Sequence, residues 1–414
     1  MLKVREMNYQ EAKKKLEQYG QEHVFRYYDE LSDREKDALI AQVEETDMEV
    51  LAMCRNKEEF QKKGEITPLA AMQLEEIEKN REHYFNRGCA AIRDGRIGAV
   101  LLAGGMGTRL GFDDPKGMYN IGLTRNVYIF ERIIHNLLDA VNQAGAYIYL
   151  FIMTSDKNHE KTVRFFEENN YFGYNREYIT FFQQDMAPAA DYQGKILMES
   201  KAKMSTSPNG NGGWFTSIIS NGVLDKIHEK GIEFLNVFAV DNVLQKIADP
   251  VFVGAVLEKD CAVGAKVVKK AAPDEKVGVM CLEDGRPSIV EYYELTDEMR
   301  DARDEKGEPA YNFGVILNYL FRVKDLEKIT KKKMPIHIVE KAVPYINENA
   351  ELISPNSPNG YKFEALVLDM IHLLDSCLPF EVVRSREFAP IKNKTGIDSV
   401  ESARALLIEN GVDL

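Results

Sequence analysis

The spacing of apolar residues divides the chain into a helical first part and an alternating second part. In residues 1 to about 95, charged residues predominate and the apolar ones recur at helical spacing. Ser32 and Glu35 give the pattern of a capping box before one such segment. Thr67 followed by Pro68 predicts the start of another helix, with Thr67 as its N-cap. The pattern therefore predicts an N-terminal helical region over residues 1–95.

From Arg96 onward, short apolar or β-branched runs alternate with segments of helical periodicity. Strands that alternate with helices predict an α/β fold, in which crossover helices connect a mixed, mainly parallel sheet. Two later runs flank Asp284-Gly285 and predict a hairpin. The predicted strands are Ile97–Ala103, Ala146–Met153, Tyr178–Phe182, Phe234–Val240, Ala265–Val268, Val277–Leu282 and Ser288–Tyr293, and the predicted helices include Phe130–Val141, His159–Asn169, Val323–Lys333 and Ser402–Asn410.

The length of 414 residues exceeds the usual size of a single domain, so more than one unit is expected. The patterns predict three consecutive parts. These are the helical region of residues 1–95, an α/β domain of residues 96–393 and a short helical tail of residues 394–414.

Three closely spaced glycines follow the first predicted strand. Gly104, Gly105 and Gly107 end the run, and Arg109 and Lys116 come soon after. Glycine lets backbone N–H groups approach a ligand closely, and the two cations supply the charge that a polyphosphate attracts. The spacing fits neither the dinucleotide-binding fingerprint nor the P-loop. The loop nevertheless predicts a site for the phosphates of a nucleotide, although a purely structural turn is the alternative.

Asp241 closes the apolar run Phe234–Val240 and is the candidate metal ligand. A carboxylate at the end of a buried strand is costly unless it is paired or binds a cation. Magnesium typically takes one or two carboxylates together with substrate phosphates. A role as helix N-cap is the alternative. Beside a phosphate-binding loop, the magnesium interpretation is favoured, with manganese as a substitute.

Further polar residues extend the candidate site, although each alone is typical of a solvated surface. Residues 209–213 form a second Gly-rich loop, in which Asn211 offers an amide to a base edge or a ribose. Amide groups both donate and accept hydrogen bonds, which suits a neutral base such as uracil. The remaining candidates are Gln183 for the base, Glu291, Tyr292 and Asn312 for sugar hydroxyls, and Lys341 and Lys392 for phosphate.

Charge and cysteine usage exclude several classes of function. Lys and Arg total 53 against 66 Asp and Glu, a formal net charge of −13 at pH 7. An acidic chain repels nucleic acid and anionic membranes, which argues against both as main partners. The five cysteines are scattered without CxxC spacing, and the charged N-terminus lacks the apolar segment of a secretory signal. We therefore expect a cytoplasmic protein without a disulfide framework or a zinc site.

Nine segments of the chain, in order, resemble the UDP-N-acetylglucosamine pyrophosphorylase family, one branch of the UDP-sugar pyrophosphorylases. The resemblance runs from about Arg87 to Asn393. It implies a Rossmann-like, GT-A-like nucleotidyltransferase fold and makes residues 96–393 the catalytic, nucleotide-sugar-binding domain. It also implies a magnesium-dependent reaction in which UTP and a sugar 1-phosphate give UDP-sugar and pyrophosphate. The segments are LLAGGMGTRLG, PKGMYNIGL, FFQQDMAPA, NGNGG, VFAVDNVLQKIADP, GAKVVKK, VEYYEL, NFGVI and APIKN.

The resemblance also implies a role for each candidate residue. The loop after the first strand would contact uridine and its phosphates, and cations would hold the triphosphate. The residues that the resemblance assigns are Leu102, Ala103, Gly104 and Gly105 for the nucleotide, Arg109, Lys116 and Lys392 for catalysis at the phosphates, Gln183 and Gly210 for the base, Lys341 for a phosphate of the nucleotide, Asn211, Glu291, Tyr292 and Asn312 for the sugar, and Asp241 for magnesium.

Several positions depart from the family pattern. Asn209 stands where the family often has Asp, and Trp214 replaces a smaller residue. Phe313 and Val315 lie in the sugar motif where the N-acetylglucosamine enzymes have Ala and Asn. Eukaryotic relatives are expected to continue into a small C-terminal domain beyond residue 414. Oligomeric state therefore cannot be inferred from them.

The sequence leaves three alternatives open. N-acetylglucosamine 1-phosphate is the expected sugar substrate, with glucose or galactose 1-phosphate as the alternatives. A catalytically silent sugar-nucleotide binding protein would keep the glycine loops but should lose Lys116 or Asp241, and both are present. An NADP-binding reductase would need a ribose-reading residue that the sequence lacks.

Overall fold

The structure is a computed structural model that describes residues 7–55, 64–332 and 334–414. These residues form two compact units, each assembled from separate parts of the chain. This division differs from the three consecutive parts predicted from the sequence, because segments distant along the chain pack together. The first unit comprises the described residues of Met1–Lys62, Asp185–Gly213 and Met334–Val367, and the second comprises those of Lys63–Gln184, Trp214–Lys333 and Leu368–Leu414.

Two parts of the sequence predictions lie outside the described residues. Residues 1–6 and 56–63 belong to the predicted helical region, and Lys333 is the last residue of a predicted helix. Among the described residues, no helix combines the length and apolar composition needed to cross a membrane.

The second unit is built on a mixed sheet of ten strands, counted over the described residues. Four neighbouring strands are parallel, as the alternation of strands and helices predicted. The path through the sheet runs in the order Ile66–Pro68, Val279–Glu283, Phe313–Arg322, Phe234–Ala239, Ile97–Leu102, Tyr149–Thr154 and Ile179–Gln183, with Arg286–Val290 beside Val279–Glu283, Val263–Lys269 beside Phe313–Arg322, and Cys377–Glu381 beside Val263–Lys269.

The long strand Phe313–Arg322 joins the parallel part of the sheet to the antiparallel part. It pairs antiparallel with Phe234–Ala239 on one side and with Val263–Lys269 on the other. The pairing with Val263–Lys269 shifts register between Ala265 and Val267, which marks a β-bulge. On the facing strand, Leu317 lies within the bulge and has a left-handed φ of +53°.

Helices cover the sheet and complete the core of this unit. The crossover helix Ile129–Ala144 buries apolar residues at helical spacing, including Ile133, Ile134 and Leu137, and ends at Gly145. A large buried apolar cluster joins these residues to the central strands. Among the described residues, the other helices that belong wholly to this unit are Leu74–Lys79, Arg81–Arg93, His159–Glu168, Trp214–Ser220, Val223–Glu229, Pro250–Lys259, Asp297–Asp301, Val323–Ile329, Arg384–Glu387 and Val400–Glu409, and all but the first residue of the helix Val367–Leu373 belong to it as well.

The first unit has its own apolar core and small two-stranded sheets. Its helices are Tyr9–Gln18 and Asp33–Glu45, and the predicted capping box of Ser32 and Glu35 is present at the second. Leu16, Leu39 and Val43 pack with Met204 and Phe363 in the buried cluster. The paired strands are Met186–Pro188 with Thr206–Pro208, Met198–Ser200 with Lys203–Met204, His337–Lys341 with Gly360–Glu364, and Tyr345–Ile346 with Leu352–Ile353.

The prediction of a helix start at Thr67-Pro68 was wrong. Ile66–Pro68 forms an edge strand, antiparallel to Val279–Glu283, and the next helix begins at Leu74 after Gln73. Proline is tolerated at the edge of a sheet because its missing N–H removes no bond there. The predicted hairpin at Asp284-Gly285 is confirmed, and both residues have positive φ.

Two glycines let helices Arg81–Arg93 and Pro250–Lys259 pack against each other closely. A Cβ atom added to Gly88 would lie 1.9 Å from the carbonyl oxygen of Pro250, and one added to Gly254 would lie 1.8 Å from the carbonyl oxygen of Tyr84. Each helix backbone thus occupies the space that the other's side chain would need. This contact fixes the helix that begins directly after Asp249.

We expect Gly254→Ala to destabilise the protein although alanine favours helices. The gain of about 1 kcal/mol in helix propensity is outweighed, because a backbone carbonyl cannot yield and overpacking costs roughly 1–3 kcal/mol or more. A lower midpoint of urea unfolding checks this. The matched control is Gly105→Ala, whose added methyl meets no atom within 4 Å. Equal midpoints for the two variants would contradict the packing argument.

Candidate functional site

The candidate site lies where the parallel strands of the second unit end. Leu102 is in register with Met153 on one side and Ala239 on the other, and Thr154 is in register with Gln183. The segments that follow these strands therefore emerge at one edge of the sheet. In open α/β sheets, this is the edge at which ligands bind.

The glycine loop after Leu102 is closed by backbone hydrogen bonds. The N–H of Ala103 donates to the carbonyl of Met153 at 2.8 Å, and the N–H of Lys116 donates to the carbonyl of Gly105 at 3.1 Å. Arg109 and Lys116 each lie in a short 3₁₀ turn that follows the glycines. The loop therefore returns Lys116 to the glycines from which the chain departed.

Gly104 and Gly107 have a structural reason to be glycine. A Cβ atom on Gly104 would lie 2.4 Å from the side-chain oxygen of Gln184, and one on Gly107 would lie 2.8 Å from the ring of Phe112. For these two positions the purely structural interpretation, left open by the sequence, is sufficient. It does not exclude a contact of their N–H groups with a ligand.

Gly105 differs from Gly104 and Gly107, because no clash with a neighbouring atom requires a glycine there. An added Cβ would meet no atom within 4 Å, and the residue does not have a positive φ. Of the 28 glycines in the chain, it is the one for which both statements hold. Because Gly105 has no side chain, the space above the loop stays open, as the close approach of a ligand to the backbone would require.

Lys116 and Asp241 form an ion pair beside this loop. The Lys116 Nζ lies 3.8 Å from the Asp241 Oδ2, and the two side chains are 16% and 26% exposed. Burial lowers the pKa of Lys116 below its ordinary value, Asp241 opposes this effect, and the charges of Arg109 and Lys392 add to it. The structure thus brings four of the predicted residues into one electrostatic neighbourhood.

Asp241 and Lys392 are connected through their backbones. The Asp241 carbonyl accepts a hydrogen bond from the N–H of Ile391 at 2.9 Å, which places Lys392 directly after this contact. The Lys392 Nζ also lies 3.0 Å from the carboxylate of Asp398. An acid therefore accompanies each of the two lysines, Asp241 beside Lys116 and Asp398 beside Lys392.

Asp241 fits a magnesium ligand by number and chemistry. Over residues 7–55, 64–332 and 334–414, no group of three or more His, Cys, Asp or Glu side chains is placed to hold a metal ion. One carboxylate supplemented by substrate phosphates and water is the arrangement that Mg²⁺ commonly takes.

Asn158 supports the glycine loop and was not found from the sequence. Its fully buried side-chain amide donates to the carbonyl of Ala103 at 2.9 Å and to that of Gly105 at 3.4 Å. Its side-chain oxygen accepts from the N–H of Ser155 at 2.7 Å. The only sequence signal is an Asn three residues after a Ser at a strand end, which is common in turns.

The predicted residues at the base-binding end differ in exposure. Leu102 and Ala103 are buried, so contact with a ligand would come from their backbones. Gln183 is exposed at the end of its strand, and its carbonyl accepts from the side chain of Asn221 at 2.9 Å. The buried Gln184 packs over Gly104 instead.

The predicted sugar residues Glu291, Tyr292 and Asn312 lie on the antiparallel side of the sheet. Both carboxylate oxygens of Glu291 would be 3.6 Å from a Cβ on Gly278, and the carbonyl of Gly278 accepts from the N–H of Val315 at 2.9 Å. Glu291 and the start of the Phe313–Arg322 strand therefore meet around Gly278. The side-chain oxygen of Asn312 accepts from the N–H of Lys270 at 3.2 Å, and Tyr292 is exposed.

Gly210, Asn211 and Lys341 belong to the first unit. Gly210 has φ +87°, and an added Cβ would lie 2.3 Å from the carbonyl oxygen of Ala365, so its backbone requires glycine. The side-chain oxygen of Asn211 accepts from the N–H of Val367 at 3.0 Å. Lys341 is exposed and ends the strand His337–Lys341.

Comparison with known proteins identifies a family. The model of the family described as UTP–glucose-1-phosphate uridylyltransferase matches residues 14–410. UDP-N-acetylglucosamine diphosphorylase 2 of Arabidopsis thaliana is 36% identical, over 95% of this chain and 82% of its own length. UDP-N-acetylglucosamine pyrophosphorylase of Saccharomyces cerevisiae is 34% identical, over 95% of this chain and 88% of its own length.

The fold is similar to that of a solved relative. The uridine diphosphate N-acetylglucosamine pyrophosphorylase of Trypanosoma brucei, solved in complex with an inhibitor, superposes with a TM-score of 0.80. It is 28% identical, and the match covers 96% of this chain and 83% of that chain. The expected α/β nucleotidyltransferase fold is confirmed.

We expect Gly105→Ala to weaken binding of a nucleoside triphosphate without affecting stability. The new methyl would occupy the space that a phosphate needs, while it meets no protein atom within 4 Å. The dissociation constant for UTP, measured by calorimetry, should rise about tenfold, which corresponds to about 1.4 kcal/mol. Unchanged affinity in the folded variant would show that the open space has another cause.

Proposed function

We propose a specific reaction for this chain, which belongs to the UTP–glucose-1-phosphate uridylyltransferase family: it joins UTP to N-acetylglucosamine 1-phosphate. The products are UDP-N-acetylglucosamine and pyrophosphate. The enzyme class follows from the family, since the matched residues cover nearly the whole chain. The sugar is supported by the names of the relatives from Arabidopsis and yeast.

Glucose or galactose 1-phosphate is the alternative substrate. The family description names glucose, and the sequence has a bulky Phe313 and an apolar Val315 in the sugar motif. Phe313 is buried, so its ring is part of the protein's packing. A comparison of kcat/KM for acetylated and unacetylated sugar 1-phosphates tests whether an acetyl group fits beside Val315.

The reaction requires positioning and charge stabilisation, and no nucleophile from the protein. An oxygen of the sugar phosphate attacks the α-phosphorus of UTP, and the bond from that phosphorus to the pyrophosphate oxygen breaks. The attacking oxygen is already ionised at neutral pH. The protein's contribution is to hold two polyanions together and to stabilise the growing negative charge.

Lys116, Arg109 and Lys392 would supply that stabilisation. The charges of Arg109 and Lys392 both act on that of Lys116, so the three cations lie in one region. In the structure, the 3.8 Å contact of Lys116 with Asp241 offsets part of this repulsion. We infer that the phosphates of UTP replace it as the partner of the lysine. Magnesium held by Asp241 would neutralise charge on the phosphate oxygens.

The other residues would bind the substrates. In this proposal, the uridine lies over the glycine loop and its triphosphate occupies the space above Gly105. For this site we assign Leu102, Ala103, Gly104, Gly105 and Gln183 to the nucleotide, and Glu291, Tyr292 and Asn312 to the sugar. The roles of Gly210 and Lys341 for the nucleotide and of Asn211 for the sugar remain those that the family resemblance implies.

The observation that carries the proposal is the open space at Gly105 beside the pair of Lys116 and Asp241. It combines room for a phosphate, a cation and a metal ligand at the ligand-binding edge of the sheet. We also infer a cytoplasmic location, because the five cysteines are scattered along the sequence without the spacing of a disulfide framework. The acidic net charge favours small-molecule substrates over nucleic acid or membrane as partners.

We expect Lys116→Ala to lower kcat by roughly 10²–10³-fold, the usual effect of losing one transition-state donor. Release of pyrophosphate from UTP and sugar 1-phosphate is the measurement. Lys230→Ala is the matched control, because Lys230 pairs with Glu229 at the surface. A Lys116→Ala variant with nearly unchanged turnover would remove this residue from the mechanism.

We expect Asp241→Asn to lose activity together with its response to magnesium. The amide keeps the shape of the side chain but binds a divalent cation far more weakly than a carboxylate does. Pyrophosphate release should be titrated with Mg²⁺ and with Mn²⁺. The same half-saturating concentration in the variant and the parent protein would place the metal elsewhere.

A panel of sugar 1-phosphates tests the proposed function directly. With UTP and magnesium, N-acetylglucosamine 1-phosphate should give the highest kcat/KM, followed by glucose and galactose 1-phosphates. A preference for an unacetylated sugar would support the alternative. Tight binding of UDP-N-acetylglucosamine without pyrophosphate release from any sugar would instead support a catalytically silent binding protein.

A further inference from the structure

Lys266 is a fully buried lysine on the strand Val263–Lys269, within the second unit. Its ammonium group meets three oxygens. The Lys266 Nζ lies 2.5 Å from the Glu387 Oε2, 3.1 Å from the carbonyl oxygen of Lys246 and 3.3 Å from the Asp249 Oδ2. A lysine has three N–H donors, so each of them has an acceptor here.

Stability alone does not account for this group. Burying an ammonium and two carboxylates is costly, and apolar side chains of similar volume often serve a core as well or better. Lys266 also lies opposite the bulge around Leu317, where the facing strand departs from regular pairing. Bulges commonly redirect side chains near functional sites.

Glu387 connects Lys266 to the segment that carries Lys392. The carbonyl of Glu387 accepts from the side chain of Asn242 at 2.8 Å, and the N–H of Ala389 donates to the same side chain at 2.9 Å. The carbonyl of Ala389 then accepts from the N–H of Val243 at 3.3 Å, and the N–H of Ile391 donates to the carbonyl of Asp241 at 2.9 Å. These hydrogen bonds join the segment that leads to Lys392 to the segment that begins at Asp241. The ammonium of Lys266 binds the first of these segments at Glu387.

Lys246 and Asp249 connect the same ammonium to the chain that follows Asp241. The carbonyl of Lys246 also accepts from the side chain of Asn318 at 3.2 Å. The Asp249 Oδ1 accepts from the N–H of Val251 and caps the helix Pro250–Lys259. Lys266 thus binds both segments whose relative position sets the distance from Asp241 to Lys392.

We propose that Lys266 is a positioning residue for the transferase reaction: its buried ammonium, bound to Glu387, Asp249 and the carbonyl of Lys246, fixes Asp241 relative to Lys392. This inference rests on the proposed function. Lys266 touches no substrate, and its effect passes through the backbone of residues 387–392 and 241–249. An ammonium suits this task because its hydrogen bonds are directional, whereas an apolar contact permits sliding.

The charge of Lys266 persists at neutral pH. Burial by itself lowers the pKa of the lysine, but Glu387 and Asp249 outweigh this effect and hold the pKa above its ordinary value. The pKa of Asp249 is held below its ordinary value, since the nearby lysines outweigh its burial. Lys266 and Asp249 are therefore both charged under the conditions of catalysis.

The test removes the charges together, so that none is left buried alone. In the variant Lys266→Met with Asp249→Asn and Glu387→Gln, side-chain volume and the helix cap are kept. The variant should fold, by near-UV circular dichroism and thermal unfolding, and its Tm should stay close to that of the parent. Its kcat should fall about 10–100-fold, as expected for a displacement of about 1 Å, while the KM for UTP changes less than threefold.

A second variant guards against a failure to fold. Glu387→Asp keeps every charge and withdraws the carboxylate by one methylene, so kcat should fall several-fold with little change in Tm. Lys259→Met is the control, because Lys259 pairs with Glu76 at 3.3 Å at the surface. Its kcat should equal that of the parent.

The outcomes separate this inference from the proposed function. Absence of pyrophosphate release by the parent protein would refute the proposed function. An active parent and a folded triple variant with kcat within twofold of the parent would overturn the role of Lys266. If the triple variant does not fold, an unchanged kcat in Glu387→Asp would overturn it instead.

Discussion

The parallel pairing of the strands Ile97–Leu102 and Phe234–Ala239 is the constraint on which the site depends. It brings two segments that are far apart in sequence to the same edge of the sheet, one with the glycine loop and the other with Asp241. The side chains that follow are then close enough for Lys116 and Asp241 to form an ion pair. In the proposed reaction, a phosphate that enters between them would meet backbone N–H groups, a lysine and a carboxylate suited to a metal. None of these groups acts on a triphosphate alone, because each offsets only part of its charge.

The antiparallel strand Phe313–Arg322 brings the candidate sugar residues to the same edge of the sheet. Since it runs opposite to Phe234–Ala239, its first residues lie at the edge where the parallel strands end. Asn312 and the Gly278–Glu291 region therefore stand on the same side of the sheet as Asp241. A mixed sheet thus places the candidate sugar residues and the candidate phosphate residues on one edge, which a purely parallel sheet would have to achieve with longer loops.

Most of the central fold could be predicted from the sequence, because its strands are continuous apolar runs and its helices have strong periodicity. The helix start predicted at Thr67-Pro68 was wrong, because pairing with a distant strand outweighed the local capping signal. The division into two units was not predictable from composition, since each unit is assembled from separate parts of the chain.

The roles of Asn158 and Lys266 could not be predicted from the sequence, because both depend on contacts with distant residues. An asparagine in a turn and a lysine in a strand acquire their meaning from partners that local sequence does not reveal. Arg109, Lys116 and Asp241 were predicted because charges beside a glycine loop or at a strand end are unusual even locally, whereas the role of Lys392 was implied by the family resemblance.

The packing of Gly88 and Gly254 against opposite carbonyls has a consequence for how this unit can move. Two helices that contact each other through side chains can shift relative to one another, because the side-chain rotamers can change. Two backbones in direct contact have no such freedom, so the two helices cannot slide. The N-terminal end of the second helix, at Asp249, is thereby immobilised along the helix axis. Any opening and closing of the enzyme during turnover must therefore leave this helix pair as a rigid block and find its hinge in other segments.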